Sequence, residues 1–173
     1  MLKPEIQDAF NAQLTREMYS SYLYLSMAAW AEDQGMKGAS HWMKAQFLEE
    51  QAHALKFFDY LNDRGGRVEL GSIERPVREW GSMVDLFEAV LHHEQQVTEH
   101  INGLVDLALE LSDHASYNFL QWYIAEQVEE EATVGEYLDK FRLVGDDGRA
   151  LLMLDAELGQ RPIPMLDPTN LPV

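Results

Sequence analysis

Cysteine is absent from the 173 residues, which excludes disulfides, thiolate zinc sites and iron-sulfur clusters held by this chain. Basic residues are scarce: 13 Lys and Arg stand against 30 Asp and Glu, a net charge of -17. Such a chain repels a nucleic-acid backbone or an anionic membrane surface, and cations are its natural partners. No stretch approaches the ~20 apolar residues of a membrane-spanning helix. The opening Met1-Leu2-Lys3-Pro4-Glu5 has no basic region leading into an apolar run. These features predict a cytoplasmic protein with no nucleic-acid and no membrane partner. Any metal it binds must sit on carboxylates and imidazoles.

What is present describes one folded domain. Hydrophobic residues make up 46% and charged residues 25%, within the ordinary globular range, and the length suits one full core rather than two. Pro4 and Glu5 read as a helix start, after which Ile6, Phe10, Leu14, Ser21, Tyr24 and Ala28 recur in steps of three and four, giving a helix to about Asp33. Gly35 and Gly38 punctuate it. A second stripe through Met43, Phe47, Ala54, Phe57 and Leu61 runs to Gly65-Gly66.

From Arg67 to about Gly81 the helical period disappears, and Gly71 and Pro76 interrupt any element. Roughly 15 extended residues span about 50 Å, whereas a helix of ~27 residues is about 40 Å long, so this connection can travel the length of a bundle. Stripes resume with Phe87, Leu91, Val97, Ile101, Leu104 and Ala108, then Leu120, Tyr123, Val134, Tyr137 and Phe141, with Ser112-Asp113 as a cap between them. Residues from Asp146 to Leu158 read as a short fifth helix. The predicted fold is all-α: a ferritin-like four-helix bundle with one long crossover between the second and third helices. A domain spanning 1–158 would be followed by an extended tail, 159–173, containing four prolines.

Each stripe is interrupted near its middle by residues that do not belong in an apolar core: Glu17, then Glu50 with His53, then Glu94, then Gln127 with Glu130. Burying unpaired carboxylates costs several kcal/mol or more, and no Lys or Arg occupies these stripes. A multivalent cation supplies the missing charge. Glu50-x-x-His53 puts two donors one turn apart on one face, and Gln127-x-x-Glu130 repeats the offset. Alone, one Glu-x-x-His is a weak signal that mostly marks a surface pair; its coincidence with Glu17, Glu94 and Glu130 in three other stripes reverses that reading. Mixed oxygen donors with one imidazole suit Fe(II), Mn(II) or Zn(II), and the number of carboxylates favours a pair of ions.

The segments Leu48-Glu-Glu-Gln-Ala-His53 and Asn118-Phe-Leu-Gln-Trp-Tyr-Ile-Ala-Glu-Gln-Val-Glu-Glu-Glu131, with the helix lengths around them, make the chain resemble the bacterial non-haem ferritins. The resemblance implies a ferroxidase centre with Glu17, Glu50 and His53 at a first iron and Glu94, Glu130 and Gln127 at a second, bridged by Glu50. It implies a catalytic-side tyrosine at Tyr24 and a third, weaker iron site at Glu49, Glu126 and Glu129, with Glu130 shared. Bacterioferritins are similar too, but their second Glu-x-x-His motif and haem methionine correspond here to Glu130 and Gln51, so no haem is expected.

The function implied is oxidation of Fe(II) by dioxygen or hydrogen peroxide and storage of the ferric product in a homo-oligomeric shell of about 24 copies. The alternative is a di-iron peroxidase or oxidase that stores no mineral. Plainer readings compete at single positions. Tyr24 also reads as a packed phenol, Trp122 as packing and Glu131 as part of a solvated face. His41, His92, His93 and His100 read as exposed or helix-terminal residues. Glu110, Asp113 and His114 fit either a channel that guides iron or ordinary capping.

Overall fold

The computed structural model describes residues 2–164; the part of the expected tail from 165 to 173 lies outside the described residues. Among the described residues there are five helices and no strand: α1 (Pro4–Asp33), α2 (Lys37–Asp63), α3 (Met83–Glu110), α4 (His114–Val144) and α5 (Gly148–Leu158). Two compact units emerge, Met1–Glu79 with Asp147–Val173, and Trp80–Asp146.

In the first unit, Pro4 opens α1 with its fixed φ, and Glu5 complements the helix dipole in the first turn. α1 stops where Gly35 takes φ 78°, a left-handed conformation costly for residues with a Cβ. The Met36 N–H then closes onto the Ala31 carbonyl at 2.9 Å, satisfying the end of the helix. Only three residues separate α1 from α2, so the two pack as an antiparallel pair. Ile6, Phe10, Leu14, Tyr24 and Ala28 are buried on one, and Met43, Ala54, Phe57 and Leu61 on the other. Phe10 meets Phe57 edge-on with centroids 5.1 Å apart, and each such ring contributes about 1.5–3 kcal/mol by leaving water.

The connection after α2 is extended, as its sequence predicts, and α1 holds it by side chains. Gln7 Oε1 accepts from Arg67 N (2.8 Å), Asn11 Oδ1 from Glu69 N (2.8 Å), and Thr15 Oγ1 from Gly71 N (3.1 Å), while Ser26 Oγ donates to the Val77 carbonyl (2.7 Å). The partners climb α1 as the connection advances. From residue 7 to residue 26 that climb is roughly 28 Å at ~1.5 Å per residue. These polar contacts give a strand-like segment with no sheet the partners its backbone needs.

α5 docks on the start of α2. Met36 provides no side-chain cap for α2; instead Asp155 Oδ1, from α5, accepts from Ala39 N at 2.8 Å. The approach is so close that a Cβ on Gly38 would lie 1.7 Å from the Asp155 carbonyl oxygen. Beyond α5, Gly159 to Pro164 form a turn and then irregular chain.

In the second unit, Ser82 caps α3 by accepting from Asp85 N (3.1 Å), and Asp113 caps α4 by accepting from Ser116 N (3.1 Å). The predicted cap at Ser112-Asp113 is thus present. Phe87 and Phe141 stack at 4.8 Å across the pair. Three positions expected in the stripes are only half-buried: Phe47, Leu91 and Tyr137. Gln46, Val90 and Leu138 take the buried places, because a 3.6-residue period drifts off any fixed run of four-residue steps.

Candidate metal centre

The first unit assembles one compact donor cluster. Glu17 on α1 and Glu50 and His53 on α2 each present a ligand atom within 4.8 Å of the others. All three are buried, at 1%, 2% and 5% exposure. Their register follows from the helices: Glu17 continues the Phe10–Leu14 stripe, and the three-residue offset of Glu50 and His53 turns both toward α1. His53 Nδ1 lies 3.5 Å from Glu50 Oε2.

Electrostatics shows what such a cluster requires. Burial raises the Glu17 carboxyl well above its ordinary pKa, the charge of Glu50 and a hydrogen bond shared with it add to the rise, and His53 and Gln13 oppose it. Two carboxylates this close cannot both ionise cheaply without a positive charge between them. A proton or a metal cation meets that need. The oxygen-and-imidazole donors suit a divalent first-row metal and give copper no preferred geometry.

Gln13 is a participant that the stripe reading missed. It is fully buried, its Nε2 donates to Glu17 Oε1 at 2.8 Å, and its Oε1 accepts from Arg16 at 3.2 Å. The amide therefore orients the carboxylate and relays the pull of an arginine to it. Its signal in the sequence was position alone: it lies four residues before Glu17, on the same face.

The second unit holds a separate buried set. Glu94 on α3 and Gln127 and Glu130 on α4 are 0%, 4% and 6% exposed. Gln127 Nε2 donates to Glu94 Oε2 and to the Glu94 carbonyl, both at 3.1 Å. It also reaches Thr98 Oγ1 at 3.4 Å, and Thr98 in turn donates to Glu131 at 2.5 Å. Glu131 is therefore half-buried and hydrogen-bonded rather than simply solvated.

The remaining predicted positions differ in setting. Glu49 is half-buried and ion-paired with Arg161, Glu126 is half-buried and Glu129 is exposed. Tyr24 is fully buried, edge-on to Trp42 with centroids 6.5 Å apart, and Trp122 packs edge-on against Tyr123 at 4.8 Å. His92 and His100 are exposed and His93 is half-buried. Burial lowers the His93 pKa, with Glu94 opposing and His100 and His92 reinforcing. His41, in the second turn of α2, lies 2.8 Å from the Arg161 carbonyl through Nε2. Asp113 serves as a cap, as one of its two readings held. Among the described residues no helix is long and apolar enough to cross a membrane.

Comparison with known proteins shows the family. Residues 7–144 match the family model of the ferritin-like domain. The chain is 41% identical over 161 residues to the bacterial non-heme ferritin of Bacteroides fragilis, covering 93% of this chain and 100% of that one. It is 39% identical over 159 residues to a probable bacterial non-heme ferritin-like protein of Haemophilus influenzae, covering 92% and 96%. Among solved structures, the open-pore ferritin of the hyperthermophilic archaeon Archaeoglobus fulgidus is 49% identical with a TM-score of 0.93, covering 94% of this chain and 100% of that one. A form of that ferritin closed by site-directed mutagenesis is 48% identical with a TM-score of 0.94, covering 95% and 100%. The chain belongs to the ferritin family, with the all-α four-helix-bundle fold and short fifth helix of that family.

Proposed function

We propose that this protein oxidises Fe(II) and stores the ferric product, as a ferroxidase subunit of a hollow shell of about 24 copies working in the cytoplasm. The observation that carries the proposal is the buried Glu17, Glu50 and His53 cluster, whose raised Glu17 pKa marks a place built for positive charge. Iron is the substrate. Glu17, Glu50 and His53 receive one Fe(II), and Glu94, Gln127 and Glu130 receive a second. Tyr24 stands beside the centre, and no haem takes part.

The charge balance explains both binding and release. Four carboxylates with a neutral imidazole and a neutral amide match the charge of two Fe(II) ions, so the pair enters without leaving net charge in an apolar interior. Entry competes with proton binding at Glu17, whose raised pKa favours the neutral acid when no cation is present. Each Fe(II) gives one electron; dioxygen takes two electrons and two protons to become hydrogen peroxide, or peroxide takes the same to become two waters. The two Fe(III) ions then exceed the site's negative charge by two, which favours hydrolysis and departure. Glu49, Glu126 and Glu129 form the third, weaker site, and hydrated ferric oxide collects in the acidic cavity. A net charge of -17 per chain raises the local concentration of cations around the assembly.

Assembly is supported by apolar side chains that the first unit leaves exposed, among them Leu25, Leu55, Phe58, Leu70, Ile73 and Val77. Contact with further copies would take this apolar surface out of water. The test is to load metal-free protein with excess Fe(II) under nitrogen, admit air, follow ferric absorbance and size the product. Rapid oxidation, with hundreds of irons retained per large particle, supports storage. Oxidation of about two or three irons per chain on a small particle would replace it with a non-storing di-iron peroxidase or oxidase.

A further inference from the structure

The segment after α5 reaches back to α2 and sets an arginine on a residue adjacent to the donor cluster. Arg161 Nη2 is ion-paired with Glu49 Oε2, and the two side chains are only 20% and 26% exposed. Its guanidinium lies over the buried Trp42 ring at 4.7 Å. Its carbonyl lies 2.8 Å from His41 Nε2, which fixes the backbone as well as the head group. α5 itself is anchored by the Asp155 cap on Ala39 and by its close approach to Gly38. The guanidinium is therefore held at Glu49 by the fold, at a high effective concentration.

We propose that Arg161 is an internal competitor cation: it occupies the Glu49 carboxylate when no metal is there, and must be displaced for a divalent ion to bind. Arg161 is a positioning residue, acting through Glu49. Arginine always carries its charge and pairs well with carboxylates, so it offers Glu49 a standing alternative to iron. A metal bound against such a competitor is held less tightly. That makes Glu49 a transit position, filled when iron is abundant and emptied as ions move on. The inference rests on the reading of Glu49 as a cation ligand.

The experiment is anaerobic equilibrium dialysis of the assembled full-length protein against Co(II), with Zn(II) as a second probe. It compares the wild type with Arg161→Gln, Arg161→Lys, Glu49→Gln and the Arg161→Gln/Glu49→Gln double variant. Arg161→Gln should tighten the weakest class of site about tenfold, Arg161→Lys should stay near the wild type, and the double variant should lose that class. Circular dichroism identifies any variant that fails to fold, and Arg161→Met, which keeps most of the aliphatic stem and removes the charge, then carries the test with the same tightening expected. An unchanged weak class in Arg161→Gln, with Glu49→Gln still abolishing it, would overturn the competitor role and leave the Glu49 site standing. If Glu49→Gln changes nothing in either background, Glu49 is not a cation ligand and both ideas fall.

Discussion

Replacing Glu17 by Gln should stabilise the metal-free protein while abolishing much of its response to metal. The change keeps shape and removes one ionisable group from a cluster whose ligand atoms lie within 4.8 Å of one another. Two ionised carboxylates at that separation repel by roughly 3.5 kcal/mol at an effective dielectric constant of ~20. Proton uptake caps what the folded protein bears, so removing the charge gains a part of that repulsion, about 1–3 kcal/mol. For a chain of this length that is a rise of about 2–12 °C in Tm. The pH dependence follows from the raised pKa of Glu17, caused first by burial and then by Glu50. The folded wild type holds a proton that the unfolded chain loses above the ordinary value of 4.5. Its stability therefore falls as pH rises from there toward the raised value. The advantage of Glu17→Gln should grow as pH rises above that ordinary value and shrink as pH falls toward it. The assay is thermal unfolding in chelator across this range, repeated with Co(II). Wild type should gain several degrees from the metal, and Glu17→Gln much less. An equal or lower Tm for chelated Glu17→Gln at neutral pH would refute the reasoning.

His53→Ala should lower the initial rate of Fe(II) oxidation by at least about 100-fold, read as ferric absorbance after mixing with air, because it removes the one imidazole of the cluster. Gln13→Leu should weaken metal binding about 10–100-fold by releasing the Glu17 carboxylate from its amide; calorimetric titration with Zn(II) measures this, and an unchanged affinity would make Gln13 a packing residue. Gly38→Ala should cost about 1–3 kcal/mol by overpacking against Asp155 and expose α5 to protease, both detectable by thermal melts and limited digestion.

The sequence made the helices and the two buried donor sets legible because both depend on local spacing. Pro4, the glycine pairs and Asp113 punctuate elements through the backbone, and a carboxylate in an apolar stripe stands out against its neighbours. What stayed hidden depends on contacts far along the chain. Arg161 meets Glu49 across 112 positions, and Asp155 caps a helix 116 positions earlier; no periodicity encodes either. The ladder of Gln7, Asn11 and Thr15 looked like an ordinary polar face until the crossover lay upon it. Gln13 escaped notice because a neutral amide in a core is tolerated far more often than a charge. Phe47, Leu91 and Tyr137 were placed in stripes by hydrophobicity, although helical drift gave the core to Gln46, Val90 and Leu138.

The most direct test of the paired iron site is crystallography of the assembled protein soaked with Fe(II) under nitrogen, with anomalous data collected at the iron edge. Two peaks, one among Glu17, Glu50 and His53 and the other among Glu94, Gln127 and Glu130, are the predicted result. A single peak, or iron bound only at exposed carboxylates, would contradict it.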